Sequence, residues 1–243
     1  MRNLKMADKF LSPVDFHAHI LPGADHGSGS VNETLFQLDS AMKHGVCRII
    51  ATPHFYPHRH SVDAFIERRN NAYRALLPAL NHNMPKIALA AEVLICDGME
   101  NMPGLDKLFI QGTNTLLLEL PTNNFSYRYT DSVEQMIKMG IDVIIAHADR
   151  YNQSNVNELL GVGARLQLNA SSVARLFVKK HITDWISCGK VVALGSDIHG
   201  RDNKAYRTFS RAAEKLSSKC ESIKTESDKI WQDAEPFIFE DSF

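Results

Sequence analysis

Seven short, nearly unbroken apolar runs, most of them with a histidine or a carboxylate at or within one residue of their end, limit this chain's folds more than any other feature. They read "SPVDFH", "CRIIATP", "KIALAAEV", "TLLLEL", "DVIIAH", "RLQLNA" and "KVVALGSD". A strand with one wet face alternates apolar and polar residues, whereas a strand covered on both faces reads as a continuous apolar stretch. The second pattern belongs to parallel sheets and barrels. Amphipathic segments separate the runs: Ser30 to His44, Ser61 to Leu80, Asp131 to Met139, Asn152 to Leu160, Ser171 to Lys180, Thr183 to Cys188 and Asp202 to Ser218. The first opens with "SVNE", a capping-box spacing with Ser30 as N-cap and Glu33 at the third helical position. Repeated strand–helix units imply right-handed crossovers and parallel strands, and seven of them without a break favour a (β/α) barrel.

A barrel of this kind takes about 250 residues as one domain, and the chain has 243. The expected domain is 1–243, with the barrel over about 12–218 and a tail over about 219–243. The apolar residues of that tail, Trp231, Phe237, Ile238 and Phe243, are expected to pack on the barrel exterior, an oligomer contact being the alternative.

In parallel α/β folds the C-terminal strand ends converge on one face, where sites are built. Here the first run delivers His17 and His19, the second His54, the third Glu92, the fourth Glu119, the fifth His147, and the last Asp197 and His199. The sixth delivers Asn169, a poor metal ligand. Singly, each has an ordinary explanation, such as a hydrogen-bonded histidine or a helix-capping aspartate. Together they do not, because chance placement would not crowd one rim with imidazoles and carboxylates while leaving the strand interiors apolar. A buried carboxylate is costly unless paired or metal-bound. His17 and His19, two apart on an extended segment, share a face. A nitrogen and oxygen ligand set without thiolate suits Mn, Fe or Zn. The candidates exceed the needs of one ion, so two or three are expected, the usual equipment of in-line phosphoester hydrolysis. Asp25 and His26 follow in "PGADHG" and extend the cluster.

Composition excludes several classes. A formal net charge of −1 gives no general attraction to nucleic acid, and no basic stripe is visible. No run approaches the ~20 apolar residues of a membrane span. The cysteines, Cys47, Cys96, Cys188 and Cys220, form no CxxC pair and none is followed by arginine in a CxxxxxR loop, which excludes a cysteine-nucleophile phosphatase. Scattered thiols fit the cytoplasm and burial as small apolar residues.

The elements "HAHILPGADHG", "ATPHF", "AEV", "LLLELP", "IIAHADRY" and "GSDIHG" occur in the order of the PHP (polymerase and histidinol phosphatase) superfamily, from about Val14 to Arg207. "HILPG" and "HADRY" make the chain resemble the bacterial tyrosine-protein phosphatase branch, manganese-dependent enzymes of capsule and exopolysaccharide gene clusters. The resemblance implies a distorted seven-stranded TIM-like (β/α) barrel, the PHP fold. It implies one metal held by His17, His19, Glu92 and Asp197, a second sharing Glu92 and adding Glu119 and His147, and a third using His54, His199 and either Asp25 or His26. Glu92 would thus be catalytic as well as ligating. Arg150 would contact the substrate phosphate, with Arg207 as a second contact for which Arg201 and Lys204 compete. The family turn D-D-G is here Asp25-His26-Gly27, and the acid of the family's H-x-E-R-Y is the shorter Asp149.

The implied substrate is a tyrosine-phosphorylated protein, with a bacterial tyrosine autokinase as partner. The loops "FYPHRH" and "TNNFSYRY" mix aromatic and basic groups as a phosphopeptide rim would, or are ordinary surface loops. Rival readings are a small-molecule phosphatase of the histidinol-phosphate type and a metal-stabilised module that binds phosphoproteins without cleaving them.

Overall fold

The computed structural model describes residues 13–217 and 221–235. Cys220, Phe237, Ile238 and Phe243 lie outside the described residues. In chain order the elements are β1 (Val14–His19), α1 (Val31–Lys43), β2 (Arg48–Ala51), β3 (His54–Phe55), α2 (Val62–Leu76), β4 (Lys86–Leu89), β5 (Glu92–Leu94) and β6 (Thr115–Glu119). There follow α3 (Tyr127–Lys138), β7 (Asp142–Ile145), α4 (Gln153–Gly161), β8 (Arg165–Asn169), α5 (Ala170–Val173), α6 (Lys180–Ser187), β9 (Val191–Gly195), β10 (Ile198–His199), α7 (Ala205–Ser217) and α8 (Glu221–Ala234).

The seven predicted runs are all present, but three kink just before their site residues. β2 resumes as β3, β4 as β5 and β9 as β10. One parallel sheet has the order β10-β1-β2-β4, the other β3-β5-β6-β7-β8-β9. Because each kinked strand contributes to both sheets, the order returns on itself: β9 pairs with β8, and its continuation β10 pairs with β1. Backbone bonds cross the kinks, from Ala90 N–H to Ala51 O (2.9 Å), Glu92 N–H to Pro53 O (3.1 Å) and Asp197 N–H to His17 O (2.8 Å). The result is a distorted (β/α) barrel.

Strand alternation sorts the core into two sets. Leu116, Leu118, Val143, Ile145, Leu166 and Leu168 pack with helix residues such as Leu38, Phe65 and Met136. The interleaved residues Ile50, Ala88, Leu117, Ile144 and Val192 form a second cluster, the barrel interior. Ile230, Trp231 and Ala234 of α8 belong to this inner cluster. The segment expected to lie on the exterior therefore sends its tryptophan, 1% exposed, into the strand interior instead.

β1 departs from strict alternation, and the site depends on it. Asp15 faces Ile49 while Ala18 faces Ala51, so β1 carries one extra residue. Such bulges re-aim side chains. Val14 and Phe16 sit in the inner cluster, whereas Ala18 and Ile20 sit in the outer one. Beyond the bulge, His17 and His19 therefore take the inner face.

Helix ends follow local chemistry. Ser30 caps α1, accepting from the Glu33 N–H at 3.3 Å, and Glu33 Oε2 accepts from the Gly29 N–H at 2.6 Å. α3 starts at Tyr127, earlier than expected, because Ser126 caps it. The helix expected over Ser171 to Lys180 reduces to the single turn of α5, and α6 begins only at Lys180. Lys215 Nζ captures the Val173 and Arg175 carbonyls, at 3.1 and 2.8 Å, acceptors that a continuing helix would have used. Cys47 and Cys96 are partly buried, but Cys188 is exposed, against expectation. No helix among the described residues is long and apolar enough to cross a membrane.

Candidate metal centre

The strand ends bring His17, His19, His54, Glu92, Glu119, His147, Asp197 and His199 to one rim. Ligand atoms cluster within 4.8 Å in three groups: His17, His19 and Glu92; His54, Glu92 and Glu119; His19, His54 and His199. Glu92 is the hub. Its Oε2 lies 3.1 Å from His17 Nε2, 3.2 Å from His19 Nε2 and 2.9 Å from His54 Nδ1, and its Oε1 lies 2.6 Å from His147 Nε2. His54 thus stands beside Glu92 and Glu119 as well as beside His199.

Hydrogen bonding determines which nitrogens face the centre. The Gln167 Oε1 accepts the His147 backbone N–H at 2.6 Å, so that atom is an oxygen, and His17 Nδ1 at 3.2 Å must donate to it. His19 Nδ1 donates to the Asp25 carboxylate at 2.6 Å. His199 Nδ1 donates to the Asp197 carbonyl at 3.1 Å. Each pinned Nδ1–H leaves Nε2 with a lone pair when the ring is neutral. The Nε2 atoms of His17 and His19 meet at 3.0 Å, and His199 Nε2 is buried with no hydrogen-bond partner. Glu92 Oε2, for all its neighbours, makes no directed hydrogen bond. Lone pairs and a carboxylate aimed at a common point repel unless a cation lies there, so these residues fit divalent ions.

Charge in the cluster is strongly redistributed. Burial opposes protonation of His19, but its bond to Asp25 and the close Glu92 carboxylate outweigh this and lift its pKa to about 10. Burial alone would raise Glu92, yet the His17 charge, the His147 bond and the close His17 and His19 imidazoles hold it well below the carboxylate range. Burial, and then the charge of Glu92, push Glu119 up to about 7. Two residues at the rim, His147 and Asp197, hold left-handed backbone at φ 31° and 54°. Non-glycine residues bear that strain where a site over-determines them.

The remaining candidates divide. Asp25 has both oxygens in use: Oδ1 accepts from the Gly27 N–H at 2.8 Å, and Oδ2 from His19 Nδ1 and, at 2.9 Å, the His54 N–H. His26 stacks on His54 and His199, with ring centres 4.8 Å from each. Arg150, half exposed on the turn Ala148–Arg150, pairs through Nη2 with Asp197 Oδ2. The Asp149 carboxylate is spent on the Asn169 N–H (2.8 Å) and the Ser172 hydroxyl (2.6 Å). Arg201 lies over the Phe36 ring at 5.4 Å. No hydrogen bond or ion pair among the described residues ties Arg207 or the Lys204 side chain to the cluster.

Three site residues escaped sequence reasoning. Gln167 and Asp15 sit inside strands whose interiors were expected to be apolar, and both are fully buried. Asp15 Oδ1 accepts from the Ser196 N–H (2.8 Å) and the His17 N–H (3.3 Å), joining β1 to the β9–β10 kink. The Tyr151 hydroxyl lies 3.0 Å from His147 Nδ1 and accepts the Leu120 N–H at 3.0 Å, fixing that ring. The polar letters in "RLQLNA" and "VDFH" were the available signal.

Comparison with known proteins agrees with this geometry. The model of a family described as capsular polysaccharide synthesis, CpsB/CapC, matches residues 13–234. A putative tyrosine-protein phosphatase CapC of Staphylococcus aureus is 31% identical over 208 residues, covering 79% of each chain. The tyrosine-protein phosphatase YwqE of Bacillus subtilis is 25% identical over 211 residues, covering 80% of each. In fold, the chain matches a chain from the crystal structures of YwqE from B. subtilis and CpsB from Streptococcus pneumoniae, described as metal-dependent tyrosine phosphatases. The TM-score is 0.71 at 21% identity, over 93% of this chain and 94% of that one.

Proposed function

The chain belongs to the CpsB/CapC family of capsular polysaccharide synthesis, and from that premise we propose that it is a metal-dependent phosphomonoesterase acting on phosphotyrosine in proteins. The observation that carries this reading is the convergence of three imidazoles on Glu92 Oε2, with the Nδ1–H bonds of His17 and His19 pinned outward.

The proposed ligands are His17, His19, Glu92 and Asp197 for one ion, Glu92, Glu119 and His147 for a second, and His54, His199 and His26 for a third. Asp25 is assigned an orienting role, because its carboxylate is saturated by His19 Nδ1 and two backbone N–H groups. Manganese is the metal proposed, in two or three copies. Bound divalent ions would supply Lewis-acid charge to the phosphoryl oxygens and activate water.

The protein's own groups divide the rest of the work. Glu92, Glu119 and Asp197 give the rim a negative balance that only cations can offset, so a phosphate dianion binds once they are compensated. Arg150 presents a planar fork suited to two phosphoryl oxygens. Its pairing with Asp197 places it against the cluster without burying it. Asp149 is not available as a proton donor, since both its oxygens are engaged. A phenolate of pKa about 10 leaves with less acid assistance than an alkoxide, so an aromatic ester suits this site better than a sugar phosphate. On the rim, Tyr56 stacks on His54 at 5.1 Å, and the Arg59 guanidinium lies over the Tyr56 ring at 5.2 Å, a mixed aromatic and basic surface suited to a phosphotyrosine segment. A tyrosine autokinase of polysaccharide synthesis, met in the cytoplasm, is the proposed partner.

Turnover of a phosphotyrosine peptide, histidinol phosphate and a sugar phosphate by the manganese-loaded chain tests the substrate class. The peptide is expected to give the highest kcat/KM. Faster histidinol phosphate turnover would replace this reading with a small-molecule one.

A further inference from the structure

Beside Arg150 lies a cavity of about 220 Å³ lined by Arg150, Arg175, Lys179, Asp149, Ser172 and Ile182, among others. Its charge is one-sided. Asp149 is the sole acid of the lining, and both its oxygens are hydrogen-bonded to Asn169 and Ser172. Arg175 and Lys179 are exposed, and no described residue forms an ion pair with either side chain. Between them on the chain stand Leu176 and Phe177, 87% and 85% exposed, the most exposed large apolar residues described.

This loop is where the expected helix failed, and it is not slack. Lys215 ties the Val173 and Arg175 carbonyls, and Ser172 ties the preceding turn to Asp149. A held loop that displays two unpaired cations and two bare apolar side chains resembles a binding surface more than a spacer. The cavity opens on Arg150, the residue assigned to the phosphoryl group, so whatever fills it is attached close to the phosphotyrosine.

We propose that this cavity is a substrate subsite that takes an aspartate or glutamate side chain flanking the phosphotyrosine, with Leu176 and Phe177 gripping an apolar residue beside it. The inference rests on the phosphotyrosine-phosphatase reading and deepens it: the substrate class becomes phosphotyrosine within an acidic, partly apolar segment. Charge complementarity argues for that occupant. The volume admits a side chain or two, and, among the described residues, Arg175 and Lys179 have no carboxylate of their own to satisfy, whereas Arg150 is already paired with Asp197.

The test compares two phosphotyrosine peptides of one sequence, with aspartates or asparagines on either side, hydrolysed by the manganese-loaded full chain. The wild type is expected to favour the acidic peptide at least fivefold in kcat/KM, through KM, and less so at high salt. In Arg175→Ala/Lys179→Ala the preference should vanish, and in Arg175→Glu/Lys179→Glu it should reverse. Equal turnover of both peptides by the wild type, or a preference that survives both variants, overturns the subsite and leaves the phosphatase reading standing. No turnover of either peptide overturns both. Self-association that disappears in Leu176→Ser/Phe177→Ser, with that variant's peptide preference intact, would assign the apolar pair to a second copy and overturn its proposed grip on the substrate.

Discussion

Gln167 Oε1 accepts both the His17 Nδ1–H, at 3.2 Å, and the His147 backbone N–H, at 2.6 Å, so one buried amide on β8 sets two proposed ligands, one on β1 and one just beyond β7. Groups behind a metal ligand fix its tautomer and aim, and their loss costs about 10- to 100-fold in affinity.

Gln167→Leu should therefore weaken manganese binding by about 10- to 100-fold and destabilise the fold by about 1–3 kcal/mol through two unpaired donors. Calorimetric titration of the chelator-stripped protein checks the first figure and urea unfolding the second. Gln167→Glu keeps an acceptor in place and should retain more affinity than Gln167→Leu. Equal losses would show that only packing matters there.

Gly195 closes the same contact from behind. A Cβ there would sit 2.6 Å from Gln167 Nε2 and 2.6 Å from His17 Cβ. Gly195→Ala should cost about 1–3 kcal/mol through overpacking and displace His17 from the centre. Gly161, in α4, has nothing within 4 Å of its would-be Cβ. Gly161→Ala should be neutral or stabilise by up to about 1 kcal/mol. Thermal melts and metal titration of the two variants compare them directly.

The His19–Asp25 pair gives a pH signature in the chelator-stripped protein. The His19 pKa is lifted to about 10, so its contribution is complete below the unfolded value of about 6.5 and is lost as pH rises through 10. Asp25 is held below its ordinary value, despite burial, by its bonds to His19. Its contribution is complete above about 3.9 and is lost in stronger acid. The stability gap between wild type and Asp25→Asn should thus be widest between about pH 4 and 6.5, at about 1.5–3 kcal/mol for a charged hydrogen bond. It should narrow toward pH 10. Urea unfolding across that range measures it, and a gap that widens with pH would contradict the assignment.

Trp231 joins α8 to the inner barrel cluster. Trp231→Ala should cost about 3–5 kcal/mol, read from the unfolding midpoint. A surface-packed tail residue would cost much less.

The clustering of imidazoles and carboxylates on one rim was legible in the sequence because strand ends and polar chemistry coincide: His17, His54, Glu92 and Glu119 each close an apolar run, and parallel strands bring such ends together. The kinks at β2–β3, β4–β5 and β9–β10 were not legible, since apolar content continues through them while the backbone register breaks. Neither was the bulge in β1, which reverses the facing of His17 and His19 relative to Phe16 without any mark in composition. Asp15, Gln167 and Tyr151 were missed because their role depends on partners far along the chain, such as Ser196 and His147. The loop over Arg175 to Lys179 was misread as helix because Val173, Leu176 and Phe177 have helical spacing, while Lys215, the residue that ends the helix, comes from α7.

In the proposed mechanism Glu92 is the hub of a divalent metal centre on which phosphotyrosine hydrolysis depends. Phosphate release from a phosphotyrosine peptide by wild type and Glu92→Gln, each stripped with chelator and then given manganese, tests it most directly. Stripping should abolish wild-type activity, manganese should restore it, and Glu92→Gln should stay at background with and without the ion. Wild-type activity that survives stripping, or a Glu92→Gln variant that manganese restores fully, would contradict it.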